Sequence, residues 1–219
     1  MNKQIKAALF DLDGVVFHTE PQYTKFWHDE CERYYPGQGY LEKTIKGTTL
    51  GQTFSMLFSG DLEKERPAVT ERLNRFEQNM RFDYVEGFRE FLAAIQAKGI
   101  LTAIVTSSNQ LKMANVYRSH SDFRNLFDAI LTAEDFAESK PHPDCYLRAA
   151  ARLGVQPEEC VVLEDSFNGI KSGRAAGMTI VGLATTNAVS ALQPLADIVV
   201  SDYHDQEMKK ILQLFGAIE

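Results

Sequence analysis

Short apolar runs recur along the chain and predict the strands of a buried sheet. Each run stops at polar residues or glycine after a few positions. The runs are Ala7 to Phe10, Ile100 to Val105, Ala129 to Leu131, Val161 to Leu163, Thr179 to Leu183 and Ile198 to Val200. Continuous apolar strands are typical of parallel sheets, because helices cover both faces of such sheets.

Stretches with a helical period separate most of the predicted strands. In one of them apolar residues recur between positions 88 and 95 and Gly99 follows; another spans 146–153 and is closed by Gly154. Apolar positions three and four residues apart form one face of a helix, and a glycine just beyond is a common helix end. Alternating strands and helices predict an α/β fold with a doubly wound parallel sheet.

The interval after the first strand is too long for a loop, because about seventy residues precede the helix that begins near Gly87. Pro21 and Pro67 stand where proline opens a helix. Apolar residues follow each at helical spacing: Tyr23, Phe26, Trp27, Cys31 and Tyr34 after the first, and Val69, Leu73, Phe76 and Met80 after the second. We therefore expect residues 17–83 to form a helical cap domain inserted into a core made of residues 1–16 and 84–219.

Composition excludes several classes of protein. The 219 residues are 44% hydrophobic and 24% charged, as in ordinary globular domains, and the net charge of −7 should repel nucleic acid. We find no apolar run near the ~20 residues that a membrane helix needs, and no secretion-signal pattern near residue 1. We expect a cytoplasmic protein that binds neither nucleic acid nor membrane. Cys31, Cys145 and Cys160 lack metal or redox spacing and should be free and buried.

Two carboxylates follow the first predicted strand. Ligands of open parallel sheets bind beyond the carboxyl ends of the strands, so these ends are the first place to look for chemistry. Asp11 and Asp13 point the same way if the chain is still extended there, and Gly14 permits a turn. Two like charges so close together are unfavourable unless a cation lies between them.

Hydroxyl groups and a lysine follow later strands. Thr106, Ser107 and Ser108 come after the second strand, where a helix should begin. A helix N-terminus with hydroxyls suits phosphate oxygens, although helix capping alone would explain these residues. Lys140 precedes two prolines that fix the local chain, and it could place a cation beside the acids.

A second acidic pair, Glu164 and Asp165, follows the fourth predicted strand. Asp165 or Ser166 could merely cap the next helix. Together with Asp11 and Asp13, the pair offers carboxylate ligands in a sequence without a cysteine or histidine cluster. Oxygen-only ligation of this kind is the preference of Mg²⁺, so we expect Mg²⁺ as the cofactor.

These residues resemble the four ordered motifs of the haloacid dehalogenase superfamily, and the resemblance spans nearly the whole chain. The matching segments are Asp11-Leu12-Asp13-Gly14-Val15, Thr106, Lys140-Pro141 and Glu164-Asp165. The helical insertion resembles the small cap of the phosphatase and β-phosphoglucomutase branch. The Asp-x-Asp pair is similar to phosphoryl-transfer members and argues against a dehalogenase.

The resemblance implies roles for the acids. Asp11 would attack phosphorus and form an aspartyl phosphate, and Asp13 would protonate the leaving alcohol and then activate water. Mg²⁺ would be held by the side chains of Asp11 and Asp165, by the Asp13 carbonyl, and by Glu164 directly or through water.

The resemblance also implies a phosphate site. Thr106, Ser107, Ser108 and Lys140 would hold the phosphoryl oxygens, with Lys140 counted among the catalytic residues. In the cap, the segment 46–49 is a candidate specificity loop whose Gly47 and Thr48 would bind substrate. An ordinary glycine turn between helices explains that segment equally well.

Three functions are compatible with this pattern. The leading hypothesis is a Mg²⁺-dependent phosphatase of a small phosphorylated metabolite, with a sugar phosphate as the best guess. The second is a sugar phosphomutase of the β-phosphoglucomutase type, which carries a cap histidine ten residues after its second motif aspartate. Tyr23 stands at that position here, and the segment 18–21 looks more like the phosphatase members. The third, a phosphometabolite-binding module without turnover, is disfavoured because every catalytic position is filled.

Overall fold

The computed structural model describes residues 4–46 and 48–216. Within these residues, six strands form one parallel sheet in the order β3-β2-β1-β4-β5-β6. The strands are β1 (Ala7–Phe10), β2 (Leu101–Val105), β3 (Ala129–Leu131), β4 (Cys160–Glu164), β5 (Thr179–Leu183) and β6 (Ile198–Val200). The chain runs outward from β1 to β3 and then returns to β4 on the other side of β1, so the order reverses beside β1.

Helices lie between and beyond the strands. They are α1 (Glu20–Tyr34), α2 (Leu50–Leu57), α3 (Arg66–Gln78), α4 (Phe88–Gln96), α5 (Gln110–Ser119), α6 (Asp144–Leu153), α7 (Phe167–Ala175), α8 (Val189–Leu192) and α9 (Asp205–Leu214). Short 3₁₀ segments include Gly39–Thr44 and Gly60–Glu65. No helix in the described part of the chain is long and apolar enough to cross a membrane.

Both faces of the sheet are covered. Ala8 and Phe10 of β1 pack into one apolar cluster with α4, α5 and α9, whereas Ala7 and Leu9 pack into a second with α6, α7 and α8. Every residue of β1 is therefore buried, which explains why the strand is apolar throughout instead of alternating. The predicted doubly wound α/β fold is confirmed.

The element boundaries differ slightly from the sequence expectation. β2 begins at Leu101 rather than Ile100, and β4 extends to Glu164, which pairs with Gly182 of β5. α3 ends at Gln78, so Met80 is not part of its helical stripe and instead packs into the larger core cluster. The three cysteines are free and buried, as predicted.

The helices between β1 and α4 have a small core of their own. Its buried members are Cys31, Ile45, Leu57, Phe58 and Val69. Arg72 of α3 donates two hydrogen bonds to the buried carboxylate of Glu30 on α1, at 2.7 and 2.6 Å. These helices therefore have an apolar core and a partly buried ion pair of their own. The cap domain of residues 17–83 remains a prediction.

Gly14 makes the turn that carries the chain away from β1. Its backbone φ of +75° is in the left-handed region, which disfavours side chains. A Cβ atom at position 14 would lie 2.1 Å from Oδ2 of Asp165, which follows β4. Glycine is therefore required both by the turn and by the close approach of Asp165.

We expect Gly14→Ala to destabilise the protein more than Gly99→Ala. Gly99 has the same φ of +75°, but nothing lies within 4 Å of its Cβ position. Gly99→Ala should therefore cost only the backbone strain, about 1–2 kcal/mol. Gly14→Ala should add roughly 1–3 kcal/mol for the overlap with Asp165. Urea unfolding of both variants measures the difference, and equal losses would contradict the close approach.

Candidate active site

The predicted site residues meet at the carboxyl end of the sheet. A cavity of about 450 Å³ lies there, between the loops that follow the strands and the inserted helices. Asp11, Asp13, Thr106, Lys140 and Asp165 line it from the core side. Separate strand ends, distant in sequence, thus supply one cavity.

Three carboxylates converge below this cavity. Asp11, Glu164 and Asp165 each place an oxygen within 4.8 Å of the others. Burial, reinforced by the neighbouring acids and opposed by Lys140, raises the pKa of Asp11 to about 7. Burial, together with the charges of Glu164 and Asp11, also raises the pKa of Asp165 well above its usual range. A cluster of oxygen donors whose charges repel one another fits a hard divalent cation such as Mg²⁺.

Lys140 links two of these acids. Its Nζ donates to Oδ1 of Asp11 at 2.6 Å, to Oε1 of Glu164 at 2.7 Å and to the carbonyl of Val105 at 3.0 Å. Burial alone would lower the pKa of Lys140, which is 3% exposed, but the charges of Asp11 and Glu164 raise it well above its ordinary value. Lys140 is therefore a fixed cation beside the predicted nucleophile.

Glu164 lies beneath the cavity and is completely buried. Its Oε1 accepts hydrogen bonds from Lys140 and from the Tyr146 hydroxyl, the latter at 2.9 Å. Its Oε2 accepts from the backbone N–H groups of Asp165 and Ser166, both at 3.1 Å, and from the Ser166 hydroxyl at 3.0 Å. Both oxygens of Glu164 are therefore occupied by donors from the protein, and Lys140 is one of them.

Asp13 is held by donors from both sides of the cavity. Its Oδ1 accepts from the Thr19 hydroxyl at 2.6 Å, and its Oδ2 accepts from the Ser108 hydroxyl at 3.2 Å. Oδ2 also forms an ion pair with Lys112, which is 3% exposed. These contacts fix the orientation of the Asp13 carboxylate over the cavity.

Lys112 was not predicted as a site residue, although its place just after the capping residue Asn109 could have indicated one. Asn109 caps α5 by accepting from the Lys112 N–H at 2.9 Å, so Lys112 lies in the first helical turn. A cation is unfavourable at that end of a helix dipole, which indicates a specific partner. Its Nζ also lies 4.6 Å from the centroid of the Tyr23 ring, and the Tyr23 hydroxyl donates to Oε1 of Glu77 at 2.7 Å.

The hydroxyl segment after β2 lies where the sequence predicts. Thr106, Ser107 and Ser108 all line the cavity. The Thr106 hydroxyl accepts from the Ser108 N–H at 3.0 Å, which fixes this turn. Since Asn109 provides the helix cap, capping does not account for the three hydroxyl residues that precede it.

The segment 46–49 gives a mixed result. Lys46, Thr48 and Thr49 line the cavity, whereas Gly47 lies outside the described residues. The Thr48 hydroxyl is 2.9 Å from the Thr53 hydroxyl and donates to a backbone carbonyl at 2.7 Å, and Thr49 caps α2. Thr48 and Thr49 thus have partners within the inserted helices, and substrate binding by Gly47 and Thr48 remains a prediction.

Two other contacts to the acids were also missed. Tyr146 belongs to the apolar stripe of α6, so its hydroxyl contact with Glu164 has no signal in the pattern. Thr186 follows β5 and donates to Oδ2 of Asp165. The rule that polar residues at strand ends mark the site would have found Thr186 if it had been applied to the fifth strand.

Comparison with known proteins agrees with this geometry. A family model of haloacid dehalogenase-like hydrolases matches residues 5–177. Hexitol phosphatase B of Escherichia coli (strain K12) is 30% identical over 222 aligned residues, covering 96% of this chain and 98% of that protein. Fructose-1-phosphate phosphatase of the same organism is 30% identical over 185 residues, covering 83% and 97%.

A solved structure shares the fold. β-Phosphoglucomutase from Clostridium difficile superposes with a TM-score of 0.79 at 22% identity, covering 97% of this chain and 98% of that one. The family match extends from the strand before Asp11 beyond the Glu164-Asp165 pair, so it includes all four predicted motifs. The chain belongs to the haloacid dehalogenase-like hydrolases, in the branch of the phosphatases and β-phosphoglucomutases.

Proposed function

We propose that the protein is a Mg²⁺-dependent phosphatase that hydrolyses a small phosphorylated metabolite, a sugar phosphate, through an aspartyl phosphate. The observation that carries this proposal is the convergence of Asp11, Glu164 and Asp165 within 4.8 Å under a cavity of about 450 Å³. The sizeable cavity has room for a sugar phosphate. The two phosphatase relatives, named for hexitol and fructose 1-phosphate substrates, support the substrate class.

The residues present fit a magnesium ion. The side chains of Asp11 and Asp165 and the Asp13 carbonyl would hold it, with Glu164 contributing through water. When bound, the ion would supply positive charge that offsets the carboxylates and the incoming phosphate dianion. Thr186 would support the site by orienting the Asp165 carboxylate with its hydrogen bond to Oδ2.

In the proposed reaction, a carboxylate oxygen of Asp11 bonds to phosphorus as the bond from phosphorus to the substrate alcohol breaks. Asp13 gives a proton to the departing alcohol oxygen and later removes one from the water that hydrolyses the aspartyl phosphate. Thr19 and Lys112 keep the Asp13 carboxylate in one orientation during both transfers. Thus Asp11 forms the covalent bond and Asp13 moves the proton.

The phosphoryl oxygens would be bound by Thr106, Ser107 and Ser108 together with Lys140. These groups line the cavity together with Asp11. Lys140 already donates to Asp11, so its charge lies next to the atom that receives the phosphoryl group. Fixed donors aimed at developing negative charge stabilise a transition state without reorganisation.

Hydrolysis is favoured over mutase chemistry by the contacts of Tyr23. In the mutase pattern a histidine stands at this position. Here the Tyr23 hydroxyl donates to Glu77, and its ring lies against Lys112. Burial raises the pKa of Tyr23 well above its ordinary value, so the phenol cannot exchange protons as an imidazole would near neutral pH.

We propose the cytoplasm as the location. Cys31, Cys145 and Cys160 are free thiols, as is usual for proteins of a reducing compartment. Small phosphorylated metabolites are the proposed partners, and the proposal includes neither nucleic acid nor membrane.

We expect Asp11→Asn to abolish Mg²⁺-dependent hydrolysis of p-nitrophenyl phosphate, because an amide is a poor nucleophile. Phosphate release from sugar phosphates should be lost together with it. The measurement is phosphate release with and without Mg²⁺, and unfolding curves establish that the variant folds. Asp83→Asn is the matched control, since Asp83 is exposed and pairs with Arg81.

Unchanged turnover in Asp11→Asn would contradict the mechanism. The same screen should include β-glucose 1-phosphate with glucose 1,6-bisphosphate, for which we expect little glucose 6-phosphate from the wild type. Rapid formation of glucose 6-phosphate would instead identify a mutase.

We expect Lys112→Met to slow the phosphorylation of Asp11 by alkyl phosphates about 10- to 100-fold, because Asp13 would lose the partner that positions it to protonate an alkoxide. The loss with p-nitrophenyl phosphate should be much smaller, since p-nitrophenolate leaves with little protonation. Single-turnover release of the alcohol measures both rates. Lys112→Arg, which keeps the charge, should recover part of the alkyl phosphate rate. Equal losses for both substrates would mean that Lys112 is only structural.

A further inference from the structure

Glu42 is a buried carboxylate with an oxygen that the protein leaves unpaired. It lies in the 3₁₀ segment Gly39–Thr44 of the inserted helices and is 7% exposed. Its Oε2 is fully buried and has no hydrogen-bond partner among the described residues. Glu42 also lines the cavity that holds the candidate active site.

The other buried glutamates of the described residues are all paired. Glu30 receives two hydrogen bonds from Arg72, and Glu77 accepts from the Tyr23 hydroxyl. Glu164 accepts from donors on both of its oxygens. An unpaired buried acceptor is unfavourable, and native proteins contain few of them. Asn115 Nδ2 and the Tyr203 hydroxyl are also buried and unpaired, but of these three residues Glu42 alone lines the cavity, where a bound molecule can supply the donor.

The surroundings of Glu42 indicate the chemistry of that donor. Besides the carboxylates Glu20 and Glu77 and the cation Lys46, the inserted helices present neutral polar and apolar groups to the cavity, among them Thr24, Trp27, Thr53, Thr70, Leu73 and Asn74. Of the three lysines that line it, Lys112 and Lys140 are paired with Asp13 and Asp11, and the charge of Lys46 acts on Glu20. A carboxylate in such a wall accepts hydrogen bonds from hydroxyl groups and repels a second carboxylate.

We propose that Glu42 is a specificity-determining residue that accepts hydrogen bonds from the hydroxyl groups of a neutral polyhydroxy phosphate ester. This inference rests on the proposed phosphatase function and extends it to the part of the substrate that is not transferred. A phosphorylated acid would bring its carboxylate toward Glu42, so the site selects polyol and sugar phosphates against phospho-acids.

The proposal predicts opposite effects of one substitution on stability and on catalysis. Glu42→Gln removes a buried carboxyl group whose Oε2 has no protein partner, so the free protein should become more stable. It also weakens the acceptor offered to the substrate. A glutamate that only supported the fold would show the reverse, with a loss of stability and no change in substrate preference.

The experiment compares Glu42→Gln and Glu42→Met with Glu30→Gln. Substrates are mannitol 1-phosphate, fructose 1-phosphate and p-nitrophenyl phosphate, with Mg²⁺. For the Glu42 variants, kcat/KM on the two polyol and sugar phosphates should fall about 10- to 100-fold relative to p-nitrophenyl phosphate, mainly through KM. Their Tm should rise by about 2–4 °C. Glu30→Gln should lower Tm and leave the substrate ratio unchanged, because Glu30 is paired with Arg72.

Several outcomes would overturn the proposal. A lower Tm in both Glu42 variants would show that Glu42 has a structural partner. An equal loss of kcat/KM on all three substrates would show that Glu42 does not contact the polyol or sugar part of the substrate. Preference of the wild type for an ammonium-bearing ester such as aminoethyl phosphate, lost in Glu42→Gln, would assign Glu42 to a cation instead of hydroxyl groups.

Failure of the proposed function would look different. If the wild type releases phosphate from none of these esters, calorimetric binding of mannitol 1-phosphate with Mg²⁺ still tests Glu42. Binding that weakens at least 10-fold in Glu42→Gln would support the subsite, and equal binding by both proteins would reject it.

Discussion

The ion pairs of Lys140 with Asp11 and Glu164 are the interaction on which the rest of the site depends. Three carboxylates converge at the cavity, two of them buried and Asp11 half-buried, and their mutual repulsion would separate them without a compensating charge. Lys140 supplies that charge and also donates to the carbonyl of Val105, so a single ammonium connects the ends of β1, β2 and β4. Placing a buried cation there is favourable only because all three acceptors are present.

The register of the sheet determines where that ammonium can reach. Phe10, the last residue of β1, pairs with Ile104 of β2 on one side and with Leu163 of β4 on the other. The three strands therefore end at nearly the same level, and Asp11 emerges between Val105 and Glu164. This is also the place where the strand order reverses, and reversal leaves an open crevice at the strand ends. Topology and pairing together place the acids before any ligand is considered.

The sequence predicts the site residues whose place depends only on where a strand ends. It does not predict contacts between side chains that are distant in the sequence. The acids at 11, 13, 164 and 165 could be predicted because strand ends share one edge of a parallel sheet. Lys112 could not be paired from the pattern with Asp13, 99 residues away, because several buried acids compete for a cation.

Met80 was wrongly placed on α3, since the apolar periodicity continues past Gln78 although the helix ends there. Nothing in the sequence pattern marks Glu42 as a site residue, because the absence of a hydrogen-bond partner is visible only in the three-dimensional structure.

The acids on the two sides of the cavity differ in whether they are paired within the protein. This difference distinguishes the groups proposed to react from the group proposed to select the substrate. On the core side, Asp11, Asp13 and Glu164 each have a partner in the protein, so the reacting groups are oriented before substrate enters. On the side of the inserted helices, Glu42 keeps an unpaired oxygen. An unpaired acceptor lowers the stability of the free protein, and a substrate that supplies the missing donor recovers that free energy on binding. Selectivity then follows from the same desolvation that makes the empty site unfavourable, because an ester without a hydroxyl in reach leaves the Glu42 carboxylate buried and unpaired.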